Sequence, residues 1–180
     1  MASVDVPSAA DSAATHRLGV RLAELSYEHL LELATRQAEL QLLIKDGFLL
    51  PALLKADELR TSLATGRGAG AAAPQLACVM AMAQTHLLGS EPVKAMPHAL
   101  AAVSQCESLA MHSMAPAANL LLVEVMLELD APRALALLHR VRPHVTQNGT
   151  AHELARLQLL TAKCRLGALP PYSDESPPQP

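Results

Sequence analysis

The chain has 180 residues, 51% of them hydrophobic and 17% charged, yet Trp, Tyr and Phe together number only three. That apolar content excludes wholesale disorder. The scarcity of aromatic and β-branched side chains excludes an all-β fold and argues against a parallel α/β sheet, because those are the residues that pack a pleated surface. Leu, Ala, Glu, Gln and Arg dominate instead and favour helix, so the composition reads as all-α. A net charge of −3 offers no general reason to expect nucleic acid or a membrane surface.

In chain order, residues 1–16 are Ala/Ser-rich, with Asp5 and Asp11 but no Lys or Arg. They read as a disordered leader, since transit peptides carry Arg and avoid acids. From Arg17, Leu18, Leu22, Leu25, Leu30, Leu33, Leu40 and Ile44 recur at three-, four- and seven-residue intervals, the stripe of an amphipathic helix. Asp46-Gly47 is its stop signal, and Phe48 to Ala64 reads as a second helix with Pro51 in the first turn. Residues 17–64 are thus an N-terminal helical pair. Residues 65–73, rich in Gly and Ala, read as a flexible linker. Their glycines lack the Gly-Lys-Ser/Thr continuation and the preceding strand of a phosphate loop.

Residues 74–168 carry five shorter helices. The third runs from Pro74 to Leu88 and stops at Gly89-Ser90. The fourth runs from Pro92 to about Met111, with Pro97 predicting a kink or a late start. The fifth runs from Pro116 to about Leu129. Asp130-Ala131-Pro132 caps and starts a sixth, which reaches about Val141 or slightly past Pro143. Asn148-Gly149 makes a turn; the sequon formed with Thr150 is read as part of that turn, because nothing upstream resembles a signal peptide. Thr150 and Glu153 have capping-box spacing for a seventh helix, which ends near Gly167. The five prolines of residues 169–180 cannot continue a helix and read as a disordered tail, in which Ser176-Pro177 is a minimal proline-directed phosphorylation site. No segment is apolar for the roughly 18 residues that a spanning helix needs.

The third to sixth helices form two comparable pairs. Met80, Ala83 and Leu87 precede the first turn, and Ala95, Ala99 and Ala102-Val103 follow it. Leu120, Val123 and Leu127 precede the second, and Ala134, Leu138 and Val141 follow. Ala95 and Ala134 lie 39 residues apart, a helix-pair repeat period. A small residue there lets two antiparallel helices approach beside their turn. Leu154, Leu157, Leu160 and Ala162 would open a third pair, so the expected architecture is a stack of antiparallel helical hairpins, a tetratricopeptide-like α-solenoid, incomplete at its C-terminus.

Residues from about Pro74 to Gly167 resemble the C-terminal tetratricopeptide region of anaphase-promoting complex subunit 5. The resemblance rests on Met96-Pro97 with Ala99-Leu100, on Asn119-Leu120, and on Pro132-Arg133-Ala134-Leu135-Ala136-Leu137-Leu138-His139. Pro143 and Ala162-Lys163-Cys164 extend it. It implies a non-catalytic scaffold in a large cell-cycle ubiquitin ligase of nucleus and cytoplasm, whose partners are other protein subunits rather than a small-molecule substrate or a membrane. The chain departs from that family in lacking its large N-terminal region and in the Pro-rich end.

Catalytic and metal-binding patterns fail on inspection. His152-Glu153-Leu154-Ala155-Arg156 begins like a zinc-protease helix, but Arg156 stands where the second His is required. His139 and His144 are five residues apart and do not share a helical face. Cys78, Cys106 and Cys164 have no metal or redox spacing and read as reduced thiols. Met80, Met82, Met96, Met111, Met114 and Met126 read as core filling in place of aromatics. No enzymatic activity, cofactor or metal is expected.

Charge placement says more. Residues 131–169 hold Arg133, Arg140, Arg142, Arg156, Lys163 and Arg165 against Glu153 alone, a local balance of +5 within a net-acidic chain. Arg140 and Arg142 suit the negative end of a helix dipole. Together the six are candidate contacts for an acidic protein partner. Nucleic acid is disfavoured, because no aromatic platform accompanies the charge. The alternative function is a stand-alone adaptor that holds a peptide in a concave groove, and a helical enzyme is the reading from another class.

Overall fold

The computed structural model describes Glu28 and residues 31–65 and 72–167. The expected leader, most of 17–30, residues 66–71 of the expected linker, and 168–180 with Ser176-Pro177 lie outside the described residues. All regular structure among the described residues is helical, without a strand, as the composition requires. Helix α1 covers 31–45. It is followed by α2 (Leu49–Thr65), α3 (Ala72–Leu88), α4 (Pro92–Ser108), α5 (Ala115–Leu129), α6 (Ala131–Asn148) and α7 (Ala151–Gly167). The chain divides into two compact units, Met1–Glu39 and Leu40–Pro180. In the first, residues 31–39 are helical and Arg36 pairs with Glu32 at 2.5 Å, one turn apart. The second contains α2–α7 and the core described below.

Three helix ends in this second unit share one device, an amide that reaches back five residues to close the last turn. Phe48 donates to Leu43 O at 2.9 Å, Glu91 to His86 O at 2.9 Å and Met111 to Cys106 O at 2.9 Å. The residue before each donor then takes a left-handed conformation: Gly47 at φ 80°, Ser90 at 58° and Ala110 at 51°. Glycine fits that region without strain, whereas Ser and Ala carry a Cβ penalty. The stop signal at Gly89-Ser90 therefore works one residue later than the glycine suggests. It also accounts for α4, which closes at Ser108 and not near Met111.

The other boundaries follow caps. Asp130 ends α5 through its amide, bonded to Met126 O at 2.7 Å, and starts α6 by accepting from the Arg133 amide at 3.0 Å. One residue thus serves both helices. Before α7 the capping box forms as the spacing requires. The Thr150 amide donates to Glu153 Oε2 at 2.6 Å, and the Glu153 amide donates to Thr150 Oγ1 at 3.4 Å. Two expectations change. Helix α4 begins at Pro92 and continues through Pro97, and α6 continues through Pro143 to Asn148. Both prolines are exposed, so the carbonyls they leave unbonded face water and the usual cost of an internal proline falls.

Each helix from α2 to α7 packs on the next in sequence. Helices α3 and α5 also touch, as do α5 and α7, whereas α2 and α4, or α4 and α6, do not. The buried positions explain this order. Helix α4 buries Ala95, Ala99, Ala102 and Cys106, and α6 buries Ala134, Leu138, Val141 and Val145. The second set is the first moved on by the same 39 residues. Between them α5 is covered on two sides. Leu121, Leu122 and Val125 pack with Ala83, Ala95 and Ala99, while Leu120 and Val123 pack with Ala134, Leu138, Leu157 and Leu160. Five consecutive aliphatic or β-branched side chains of α5 are inside because neighbours lie on opposite faces of it.

Ala134 is fully buried within the α5–α6–α7 cluster. The Ala134→Leu variant should lose about 1–3 kcal/mol through overpacking, read as a fall of several degrees in the thermal midpoint by circular dichroism. An unchanged midpoint would mean that the two helices do not meet at this residue.

Candidate interaction surface

The six basic residues singled out from the sequence fall on α6 (Arg133, Arg140, Arg142) and α7 (Arg156, Lys163, Arg165), and the fold gives them different work. Arg156 points back at α5. Its Nε donates to Glu124 Oε1 at 2.7 Å and its Nη2 to Glu124 Oε2, with side chains 17% and 25% exposed. This bidentate, partly dehydrated pair is the strong form of an ion pair. Arg142 is half-buried between α6 and α7. Its Nη2 donates to Thr161 Oγ1 at 3.0 Å, its Nε is buried without a partner, and Thr161 passes its own proton to Leu157 O at 2.7 Å. Arg133 closes an exposed pair with Asp130, Nε to Oδ2 3.1 Å, a geometry of small worth in water.

Only Arg140, Lys163 and Arg165 remain exposed without an ion pair among the described residues. The anticipated six-residue strip is thus divided. Two members hold helices together, one sits at a cap, and three face solvent.

The residues weighed for chemistry stay apart. Glu153 is buried in its capping box, His152 is exposed, and Arg156 is paired with Glu124. Among the described residues no three His, Cys, Asp or Glu side chains gather as a metal set. His139 is exposed on α6, and His144 Nδ1 lies 3.1 Å from Asn148 Nδ2. The three cysteines are free and buried. Burial pushes each thiol above its ordinary value, which keeps it protonated and unreactive. The six methionines are half-buried, and all but Met82 pack against the core clusters.

One polar cluster had no signal in the sequence, because its members come from different helices. The rings of His86 and His98 stack across α3 and α4 with centroids 5.6 Å apart and planes at 7°. His86 Nδ1 lies 3.0 Å from Glu91 Oε2, and Lys94 Nζ donates to Glu91 Oε1 at 2.6 Å. Burial first, then the nearby His86 and Arg60, hold His98 below the ordinary imidazole value. The hydrogen bonds from Lys94 and His86 hold the Glu91 carboxyl below its own.

Helix α7 also corrects an expectation. Leu157 and Leu160 are buried and Leu154 is half-buried, but Ala162, assigned to the core from its spacing, is exposed. The core side of α7 is instead Glu153, Leu157, Leu160, Thr161 and Cys164. On the opposite side Leu159 and Leu166 are 56% and 70% exposed, and Ala155 and Ala162 lie between and beside them. Sequence periodicity missed this second stripe because apolar residues on both sides of a helix blur a single hydrophobic face.

Two outcomes follow. A depressed imidazole favours the neutral ring in the fold, so the contribution of His98 is present above the unfolded value and is lost as pH falls through that value toward the folded one. Thermal midpoints should decline from about pH 7 to 5, and His98→Gln should flatten the decline; a parallel decline would remove His98 from the cause. Glu91, depressed likewise, stays ionised in that window and loses its contribution only at lower pH. Separately, Arg156→Ala should cost about 2–3 kcal/mol by leaving Glu124 partly buried and unpaired. A double-mutant cycle with Glu124→Gln in denaturant melts should return a coupling of about 1–2 kcal/mol, and zero coupling would show the pair to be incidental.

No protein-family model, no curated protein and no solved structure matches the chain.

Proposed function

We propose that the chain is a non-catalytic protein-interaction scaffold made of tetratricopeptide-type antiparallel hairpins, similar to a platform subunit of the anaphase-promoting complex. The observation that carries this reading is the 39-residue repetition of buried positions between α4 and α6, combined with contacts that link α3 to α5 and α5 to α7 but not α4 to α6. In a solenoid of helix pairs, the first helix of each pair meets the first helix of the next, while the second helices line the other side. The single-residue connection at Asp130 supports a sharp reversal between α5 and α6.

Arg140, Lys163 and Arg165 are the basic residues this reading assigns to acidic surfaces on partner subunits. Arg133, Arg142 and Arg156 serve the fold first. The resemblance in Met96-Pro97, Asn119-Leu120 and Pro132 to His139 supports the choice of complex, with a place in nucleus and cytoplasm. Three exposed cations and an apolar edge suit a subunit that is held among others better than a pocketed enzyme.

The test is affinity purification of the tagged chain from cycling cells, followed by mass spectrometry. Ubiquitin-ligase subunits should be recovered, and the triple variant Arg140→Glu, Lys163→Glu, Arg165→Glu should reduce their yield several-fold. Recovery of the chain without any such subunit would sink the assignment.

A further inference from the structure

We infer that the outer face of α7 is a docking site for an amphipathic helix of another protein, with acidic residues flanking its apolar stripe, laid where α6 lies on α5. The argument starts from register. Moving α5 on by 39 residues superposes its two faces on those of α7. Ala118, Leu121, Leu122 and Val125 become Leu157, Leu160, Thr161 and Cys164, and all eight are buried. The other face of α5, Leu120, Val123 and Leu127, becomes Leu159, Ala162 and Leu166.

In α5 that face is covered by α6: Leu120 and Val123 are fully buried, and Leu127 packs against the same cluster. In α3 the comparable residues Met80, Ala83 and Leu87 pack with residues of α4. In α7 the face is bare, with Leu159 56% and Leu166 70% exposed. At 100° per residue, Leu159, Ala162 and Leu166 fall within an arc of about 60° on the side of α7 away from its core.

The molecule also shows what kind of helix fits. Both covering helices bury residues at relative positions 0, 4, 7 and 11: Ala95, Ala99, Ala102, Cys106 in α4 and Ala134, Leu138, Val141, Val145 in α6. A small residue leads in each, which allows close approach near the turn. The occupant should carry that pattern. The next 39-residue step of this chain places Ser173, Pro177 and Pro180 at the first three positions, which do not reproduce it, so the helix comes from elsewhere.

Charge then selects among outside helices. Lys163 and Arg165 flank the stripe on its two sides, exposed and without an ion pair among the described residues, and the one acid of α7, Glu153, is buried in its cap. A second copy offering its own α7 would set like charges together, whereas acidic flanks would complement them. This inference rests on the repeat reading of the fold given above.

The experiment uses the full 180-residue chain and two fluorescein-labelled peptides of the α6 sequence, one native and one with Arg133→Glu, Arg140→Glu and Arg142→Glu. In anisotropy titrations the acidic peptide should saturate and bind at least about tenfold more tightly than the native one. Leu159→Asp, at an exposed position, should leave the thermal midpoint unchanged and weaken binding about tenfold, or about 1.4 kcal/mol; Leu166→Asp should repeat that result. The Lys163→Glu, Arg165→Glu chain should reverse the preference between peptides.

No saturation up to about 1 mM, equal affinity for both peptides, or indifference to both leucine variants overturns the inference. So does sedimentation showing a dimer that Leu159→Asp dissociates, which would make a second copy the occupant. Failure here leaves the ubiquitin-ligase assignment to its own purification test. Failure of that purification leaves a measured peptide affinity standing.

Discussion

Helix α5 is buried on two opposite faces, and the arrangement of every helix after α2 depends on how that is achieved. Leu120, Leu121, Leu122, Val123 and Val125 are all inside, and burying each such side chain contributes about 1.5–3 kcal/mol relative to exposure. Aliphatic side chains of this size fill the space only if the facing backbones come close. Ala95 and Ala99 on one side and Ala134 on the other permit that approach, each fully buried. A chain with three aromatics has no large rings to bridge a wider gap, so small residues at the contacts substitute for large ones in the core.

The same constraint governs the connections. Helices that approach closely must be joined without slack, and Asp130 does this alone by ending α5 and capping α6. Elsewhere the chain accepts local strain to close a helix at the required point, with Ser90 and Ala110 held in the left-handed region. Pro97 and Pro143 are accommodated because they fall on the solvent side, where a missing backbone hydrogen bond is replaced by water. Polar groups that would weaken the interior are matched across it: Glu124 of α5 by Arg156 of α7, and Arg142 of α6 by Thr161.

Function is concentrated where this packing stops. Buried thiols, a capped Glu153 and scattered histidines provide no assembled chemistry among the described residues, and the basic residues divide between internal locks and an exposed remainder. The outer side of α7 differs from the comparable sides of α3 and α5 in one respect, the absence of a following helix. A face built to the dimensions of an internal contact, bordered by Lys163 and Arg165, has the character of an interface and not of an ordinary helix surface.

Much of this was legible before folding. The helical class, the Asp46-Gly47 stop, the double role near Asp130, the Thr150–Glu153 capping box and the 39-residue spacing of Ala95 and Ala134 all arise from local propensity or hydrogen bonding within a few residues, and such features are written in adjacent letters of the sequence. The ends of α4 and α6 were not legible, because the tolerance of Pro97 and Pro143 depends on which side of the helix meets water. Nor were the Arg156–Glu124 lock, the His86–His98 stack or the exposure of Ala162, Leu159 and Leu166. Charge and hydrophobicity counted along a chain cannot separate a cation that pairs inward from one that faces solvent, or a core leucine from an uncovered one. Those distinctions were made by which helix lies against which, and only the tertiary structure contains that information.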